Sequence, residues 1–528
     1  MEKSSVSRLA FGSCNNQDLH NKLWPIIERR HPSGFIWGGD SIYADQEKWI
    51  DWSTFPPKIG NVICADGKRL RKLYKQQKKI PGYKSFIESN VTIFGTIDDH
   101  DYGCDNADRN FPHRKTSAEA FVDFLGEPRH SAFAARARKG FGVYGVKVFD
   151  FERPVGKQSL SDFEAGIDPD VISPYLNAKG GHPRHSNKSV AVFVLDVRSN
   201  KTPWRKGLEA FRPDMDGDFL GKEQWEWLEA AVPRSRAAVN IFVSGLQVHA
   251  NIFPDGNKAE SWGKYPRAQQ RLFDLILQDS VGAPILISGD VHMAQFMRKD
   301  CKRDVLDAYA RPLIEMTTSG MTHSWGSLSS PPIDDINKEP TIFEQYATLA
   351  SRTLMTLLHH FCPWTDLMRM PSIQDNLIDE RNYESGGSDG AKQGKQFSLE
   401  KNFGEIEIDW NSQRVTMRAI GENEKVLLSA SWSIDQLSGR SIMTDSFLSE
   451  KQYIDAKRHV NAQGEWTCIS YRGPVSEIYH TGGHIISGVI FIVSFPFPLI
   501  VLSYFLVGQF CGLWKKRRNL GKKSSNLL

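Results

Sequence analysis

Between residues 6 and 320, short apolar and β-branched runs recur along the chain, separated by stretches with helical spacing. The runs are Leu9–Phe11, Gly34–Trp37, Val91–Ile97, Val190–Leu195, Val239–Val243, Ile285–Ile287 and Leu313–Met316. Strand-sized runs alternating with helical segments predict an α/β fold. Helical spacing marks Asn21–Arg30, Ser117–Leu125 and Pro266–Gln278. In the last, Leu272, Leu275 and Ile276 share one face after a proline suited to a helix start, and these faces are expected to cover the sheet.

The alternation degrades after residue 324, so a core over 6–324 is expected to be followed by an inserted helical lobe and loop over 325–395. Over 396–437, Phe403–Trp410, Arg414–Ile420 and Lys425–Ile434 alternate as short strands, predicting an antiparallel extension of the core. Residues 438–484 read as a polar connector. Ile485 to Trp514 carries no charged residue and is followed by Lys515-Lys-Arg-Arg518 within a basic tail, 515–528. A bilayer span needs about 20 apolar residues, so 485–514 is expected to be a transmembrane segment or, with Pro496 and Pro498 breaking it, a re-entrant one.

Composition narrows the picture further. Lys+Arg of 66 against Asp+Glu of 62 leaves +4 over 528 residues, too little to argue for a nucleic-acid surface. The basic run Lys68 to Lys79 is expected to be a solvated helix or loop. Seven cysteines without regular spacing imply no disulfide framework or zinc ribbon, and a reduced compartment is the default. No apolar leader precedes the first strand, so the catalytic domain is expected in the cytosol, or in a lumen or outside the cell if the gene model lacks a signal peptide. Sequons at Asn90, Asn187 and Asn200 carry little weight beside that.

Three predicted strand ends present side chains able to hold metals. Phe35-Ile-Trp-Gly-Gly-Asp40 leads to Tyr43, Ile285-Leu-Ile-Ser-Gly-Asp290 leads to His292, and Val91 to Thr96 leads into Asp98-Asp-His-Asp101. Strand ends are where open α/β sheets bind ligands. Hydrolysis of a phosphoester needs an activated water and compensation of charge on the phosphoryl oxygens, and a pair of metals supplies both. Asp40 is the candidate bridging ligand.

The chain resembles the alkaline phosphatase D (PhoD-type) metallophosphoesterases. The stretches that carry the resemblance are Phe11-Gly-Ser-Cys14, Gly39-Asp-Ser-Ile-Tyr43, Asp98-Asp-His-Asp-Tyr-Gly103, Leu195-Asp-Val-Arg198, Ser244-Gly-Leu-Gln-Val-His249, Tyr265-Pro-Arg-Ala-Gln-Gln-Arg271 and Ser288-Gly-Asp-Val-His-Met293, in the family's order. It implies a calcineurin-like core, a layered β-sandwich flanked by helices, with a site of ferric iron and calcium. Carried over by motif, Cys14, Asp40 and Tyr43 would hold the iron, with Asp99, Asp290 and His292 completing the pair. Thiolate and phenolate suit a trivalent ion, and calcium takes oxygen ligands. Where the family follows Asp-Asp-His-Asp-x-Gly with an amide ligand, this chain has Cys104-Asp105-Asn106. Either Asp105 replaces that ligand or Asn106 supplies it one residue later.

Of the remaining candidates, His100 would ligate a metal or orient a neighbour, and Arg198 would clamp phosphate or form a structural ion pair. His249 is a candidate leaving-group acid. Together these readings predict a membrane-anchored phosphomonoesterase or phosphodiesterase acting on a phosphoester substrate, without a nucleic-acid partner and with the oligomeric state open. The rival readings are a phospholipid-headgroup phosphodiesterase and a catalytically silent scaffold.

Overall fold

The fold is taken from a computed structural model, which describes residues 6–51, 58–89, 91–151, 188–250, 260–304, 307, 310–361, 397–441, 451, 453–454, 464–469 and 477–495. The strands are β1 (Val6–Gly12), β2 (Gly34–Gly38), β3 (Gln46–Asp51), β4 (Lys58–Ile63), β5 (Thr92–Thr96), β6 (Gly145–Asp150), β7 (Ser189–Leu195), β8 (Val239–Ser244), β9 (Pro284–Ser288), β10 (Ala294–Lys302), β11 (Arg311–Thr318), β12 (Phe397–Ser398), β13 (Asn402–Asp409), β14 (Arg414–Gly421), β15 (Val426–Ser433) and β16 (Thr467–Ile469). One sheet runs β15-β14-β13-β1-β2-β5 and a second runs β12-β10-β11-β9-β8-β7-β6, with β16 on β10; β3 and β4 form a separate hairpin.

The centre of each sheet is parallel. β2 lies parallel between β1 and β5, and β7, β8, β9 and β11 are parallel in succession. Strands covered on both faces read as unbroken apolar runs, and β7, β8 and β9 are buried throughout. Leu9, Phe35 and Phe94 of the first sheet share one apolar cluster with Val192, Ile241, Ile285 and Ile314 of the second. The other face of the second sheet, with Phe193, Phe242 and Leu286, packs with the helices Gly221–Ala231 and Pro266–Ile276. The mixed α/β architecture expected from the sequence is present, and the three C-terminal alternating segments are β13, β14 and β15, which extend the first sheet through β1.

The membrane segment is a correction. Among the described residues no helix is long and apolar enough to cross a membrane. The described part of 485–514 completes a helix of 18 residues, Glu477–Ser494, whose first half is the polar Glu-Ile-Tyr-His-Thr-Gly-Gly-His. It packs beside the helix Ile342–Phe361, where the rings of Tyr346 and Phe495 are 5.6 Å apart. Residues 496–528, the basic tail included, lie outside the described residues.

The cysteines also depart from expectation. Cys64 pairs with Cys104 and Cys301 with Cys468, across 40 and 167 residues. Disulfides persist in oxidising surroundings, the opposite of the default read from the count. The second lies where β16 pairs with β10, so part of the expected connector belongs to the second sheet. Cys14 is the free cysteine among the described residues.

One buried carboxyl beneath the site predicts a pH dependence. Glu315, on β11, accepts hydrogen bonds from the backbone N–H of Val248 and His249 and from Ser288 Oγ. Burial nevertheless pushes its carboxyl up to about 7 from 4.5. With the folded pKa raised, this group's contribution to stability is intact below pH 4.5 and is lost as pH rises through about 7. The loss is about 3 kcal/mol at 1.36 kcal/mol per pKa unit. Glu315→Gln should lack this loss whatever its pH-independent cost, as urea unfolding at a series of pH values will show; parallel profiles for the two proteins would contradict it.

Candidate metal centre

The ends of the parallel strands converge on one point. Cys14 follows β1, Asp40 follows β2, Asp98 to Asp101 follow β5, Arg198 follows β7, Asp290 and His292 follow β9, and Ser319 to His323 follow β11. Close approach of two of these turns explains their glycines. A Cβ on Gly39, where φ is +98°, would sit 2.5 Å from Asp98 Cβ, and one on Gly289 would sit 2.5 Å from the carbonyl oxygen of Gly38. Among the described residues, ten other than glycine have positive φ, and Cys14, Asp40, Asn106, Asp290 and His292 are five of them. Left-handed backbone at non-glycine residues costs energy and gathers where surrounding structure imposes it, functional sites above all.

Two groups of donors result. Asp40, Asp99 and His100 bring ligand atoms within 4.8 Å of one another, and so do Asp98, Asp99 and Asp290, so Asp99 is common to both. Cys14 Sγ lies 3.4 Å from Asp40 Oδ2 and 2.9 Å from Ser319 Oγ. Tyr43 Oη is 3.3 Å from His292 Nε2 and 3.0 Å from His323 Nε2, and the Tyr43 ring stacks on His100 at 4.0 Å. Sequence reasoning had not singled out His323; its signal was its place after β11, in Thr318-Ser-Gly-Met-Thr-His323.

Electrostatics show what the carboxylates lack. Burial, with Asp99, Asp98 and Asp101 adding to it, raises the Asp40 carboxyl well above the ordinary range. Asp290 is raised by burial and by Asp98 and Asp99. Burial lifts Asp98 to about 7 even against Arg198. Asp99 is the exception: burial is outweighed by Arg198 and His100, which hold it low. Asp40 Oδ1 and Asp98 Oδ2 are buried acceptors without a hydrogen-bond partner. Packed carboxylates with orphaned oxygens are costly unless a cation compensates them, so the residues present fit a metal.

Around this group the remaining candidates sort by contact. His100 Nδ1 is 2.7 Å from Asp45 Oδ1, and burial, which lowers its pKa, is outweighed by Asp99, Asp40 and Asp45, which raise it well above the usual range. Asp45 therefore positions His100. Asp105 and Asn106 contribute through the backbone: Asp105 N–H donates to Asp45 Oδ2 and Asn106 N–H to Asp99 Oδ2, each at 2.8 Å. Asp101 is structural, capping its helix and accepting from Ser41 and Tyr74.

Arg198 is fully buried and faces inward. Its guanidinium donates to Asp98 and Glu260 and lies 3.8 Å from Asp99 Oδ2, and Glu260 also takes Lys201 and Trp204. These contacts make Arg198 part of a buried ion network, with Nη2 left without a hydrogen-bond partner. His249 is not brought into the group. It is buried, with Nε2 3.0 Å from the carbonyl of Leu313 and its ring against Phe273.

Residues 186–350, carrying Arg198, Asp290, His292 and His323, match the family model for PhoD-like phosphatase. This segment of the chain is therefore similar to the PhoD-like phosphatases. A solved structure described as "Structure of PhoD" aligns with 92% of this chain and 77% of its own at 14% identity and a TM-score of 0.43. No curated protein matches the chain. The carboxylate and histidine group could hold a metal ion, and it lies at the ends of strands that position it.

Proposed function

We propose that this chain is a PhoD-like phosphatase that hydrolyses phosphomonoesters or phosphodiesters at a centre of two metal ions, ferric iron and calcium. The observation that carries the reading is the pair of donor groups sharing Asp99, with Asp40 Oδ1 buried and unpartnered between aspartates. Cys14, Asp40 and Tyr43 would hold the iron, with His100 and His292 nearby. Asp98, Asp99 and Asp290 offer only oxygens, the set calcium takes. When bound, the ions would supply an activated water and offset charge on the phosphoryl oxygens.

The chain's own residues supply rigidity and proton placement. Asp45 fixes the His100 ring by accepting from Nδ1, so that Nε2 is the nitrogen left for the site. Ser319 Oγ contacts Cys14 Sγ and accepts from the His292 N–H, tying the ends of β1 and β9 to that of β11. Arg198 holds Asp98 and biases Asp99 towards the ionised form. A thiol as buried as Cys14, beside Asp40, has its pKa raised, so thiolate ligation needs a strongly charged cation to draw off the proton.

Cys14→Ser and Tyr43→Phe test the assignment. Each should leave the melting temperature nearly unchanged and remove or shift the visible charge-transfer absorption of a thiolate- or phenolate-bound ferric ion. Unchanged iron content, spectrum and activity in Cys14→Ser would take Cys14 out of the site.

A further inference from the structure

From the histidines of this centre a cavity of about 690 Å³ opens outward, with His292 and His323 at its inner end and residues 324–351 forming much of its wall. A phosphate group fills a small part of such a volume, which is the size that takes a whole organic ligand of roughly 300–1,000 Å³. The wall next to the centre is Trp325. Its backbone N–H donates to the carbonyl of His292 and its Nε1–H to the carbonyl of Val291, at 3.2 and 2.7 Å. The indole is thus pinned to the loop that carries Asp290 and His292, with its ring 6.1 Å from the His292 ring. It keeps 37% of its surface exposed, and Ile336, 53% exposed, lines the same cavity. Large apolar side chains exposed singly need no explanation. Here the exposed indole is held rigidly beside the candidate metal ligands His292 and Asp290 and opens onto the same cavity as Ile336.

We infer that Trp325 is the stacking platform of a leaving-group subsite, and that the preferred substrates are phosphoesters whose alcohol side is a planar aryl or heteroaryl group. The inference rests on the phosphoesterase reading above for the position of the phosphoryl group. The ring lies on the indole, and stacking of a ring on an aromatic side chain contributes about 1–3 kcal/mol, enough for at least a fivefold to tenfold preference.

Equilibrium binding of two non-hydrolysable probes to the full-length, metal-loaded protein tests this apart from catalysis. 1-Naphthylphosphonate should bind at least about fivefold more tightly than methylphosphonate. Trp325→Ala should abolish that difference by weakening 1-naphthylphosphonate at least about fivefold more than methylphosphonate. Trp325→Phe, which keeps a ring and loses the Nε1–H donor, should retain most of it. Equal affinity of the wild type for both probes, or equal weakening of both by Trp325→Ala, overturns the subsite; so does Trp325→Phe behaving as Trp325→Ala, because the indole would then serve only to hold the loop. Hydrolysis of 1-naphthyl phosphate and glycerol phosphate, measured alongside, reports separately on the phosphoesterase reading: turnover of neither would count against that reading and leave the binding result to decide the subsite.

Discussion

Asp40→Asn will reduce phosphoester hydrolysis by at least about 10²–10³-fold, the scale on which loss of a single preorganised electrostatic group is felt in an active site, while the fold remains intact. Asparagine matches the volume of aspartate and removes a charge from the donor group of Asp40, Asp99 and His100, which shares Asp99 with the second group. The stability change has a definite sign. Burial and neighbouring aspartates already raise the Asp40 carboxyl, so the charge is a cost in the absence of a cation. In chelated protein Asp40→Asn should therefore melt at the same temperature as wild type or higher, whereas in metal-loaded protein it should melt lower. Thermal unfolding with and without chelator measures this. A variant destabilised equally in both states would make Asp40 a structural residue.

The second large effect concerns Arg198. Arg198→Met should destabilise the protein by about 3–5 kcal/mol, because removing one member of a buried ion network leaves its partners uncompensated. Asp98 would lose its guanidinium, and Glu260 would retain Lys201 and Trp204. Activity should fall with stability, since Asp98 and Asp99 lean on this side chain. Urea unfolding checks the first effect and steady-state kinetics the second. Normal stability with a raised KM alone would restore the phosphate-clamp reading of Arg198.

Much of the frame was legible because its signals are local. All seven apolar runs became strands, since a strand buried on both faces has little choice but to be apolar, and the strand-end motifs pointed to the residues that meet at the centre. What was missed depends on contacts distant in sequence. β10 reads Ala-Gln-Phe-Met-Arg-Lys-Asp-Cys-Lys, yet it is almost wholly buried, paired between β11 on one side and β12 and β16 on the other. There Arg298 donates to Asp300 at 2.7 and 3.0 Å, a pairing two residues apart that no hydropathy pattern reveals. The disulfide Cys301–Cys468 joins the same strand to a segment read as a polar connector. Apolar content alone predicted a membrane segment at 485–514, but the described helix there begins in polar residues and has the helix Ile342–Phe361 beside it. At the site, the sequence showed which residues bear donors and not which way they face. The contacts of Arg198 with Asp98 and Glu260, and of Asp45 with His100, join residues 55 or more positions apart, which no local motif displays.

The central claim is that the strand-end aspartates form a two-metal centre around Asp40 and Asp99, and elemental analysis of purified wild-type protein beside Asp40→Asn tests it most directly. The wild-type chain should carry about one iron and one further divalent ion, calcium first, with both depleted together in the variant. Folded wild-type protein that takes up no metal on incubation with iron and calcium, or Asp40→Asn protein that keeps both ions at full occupancy, would contradict it.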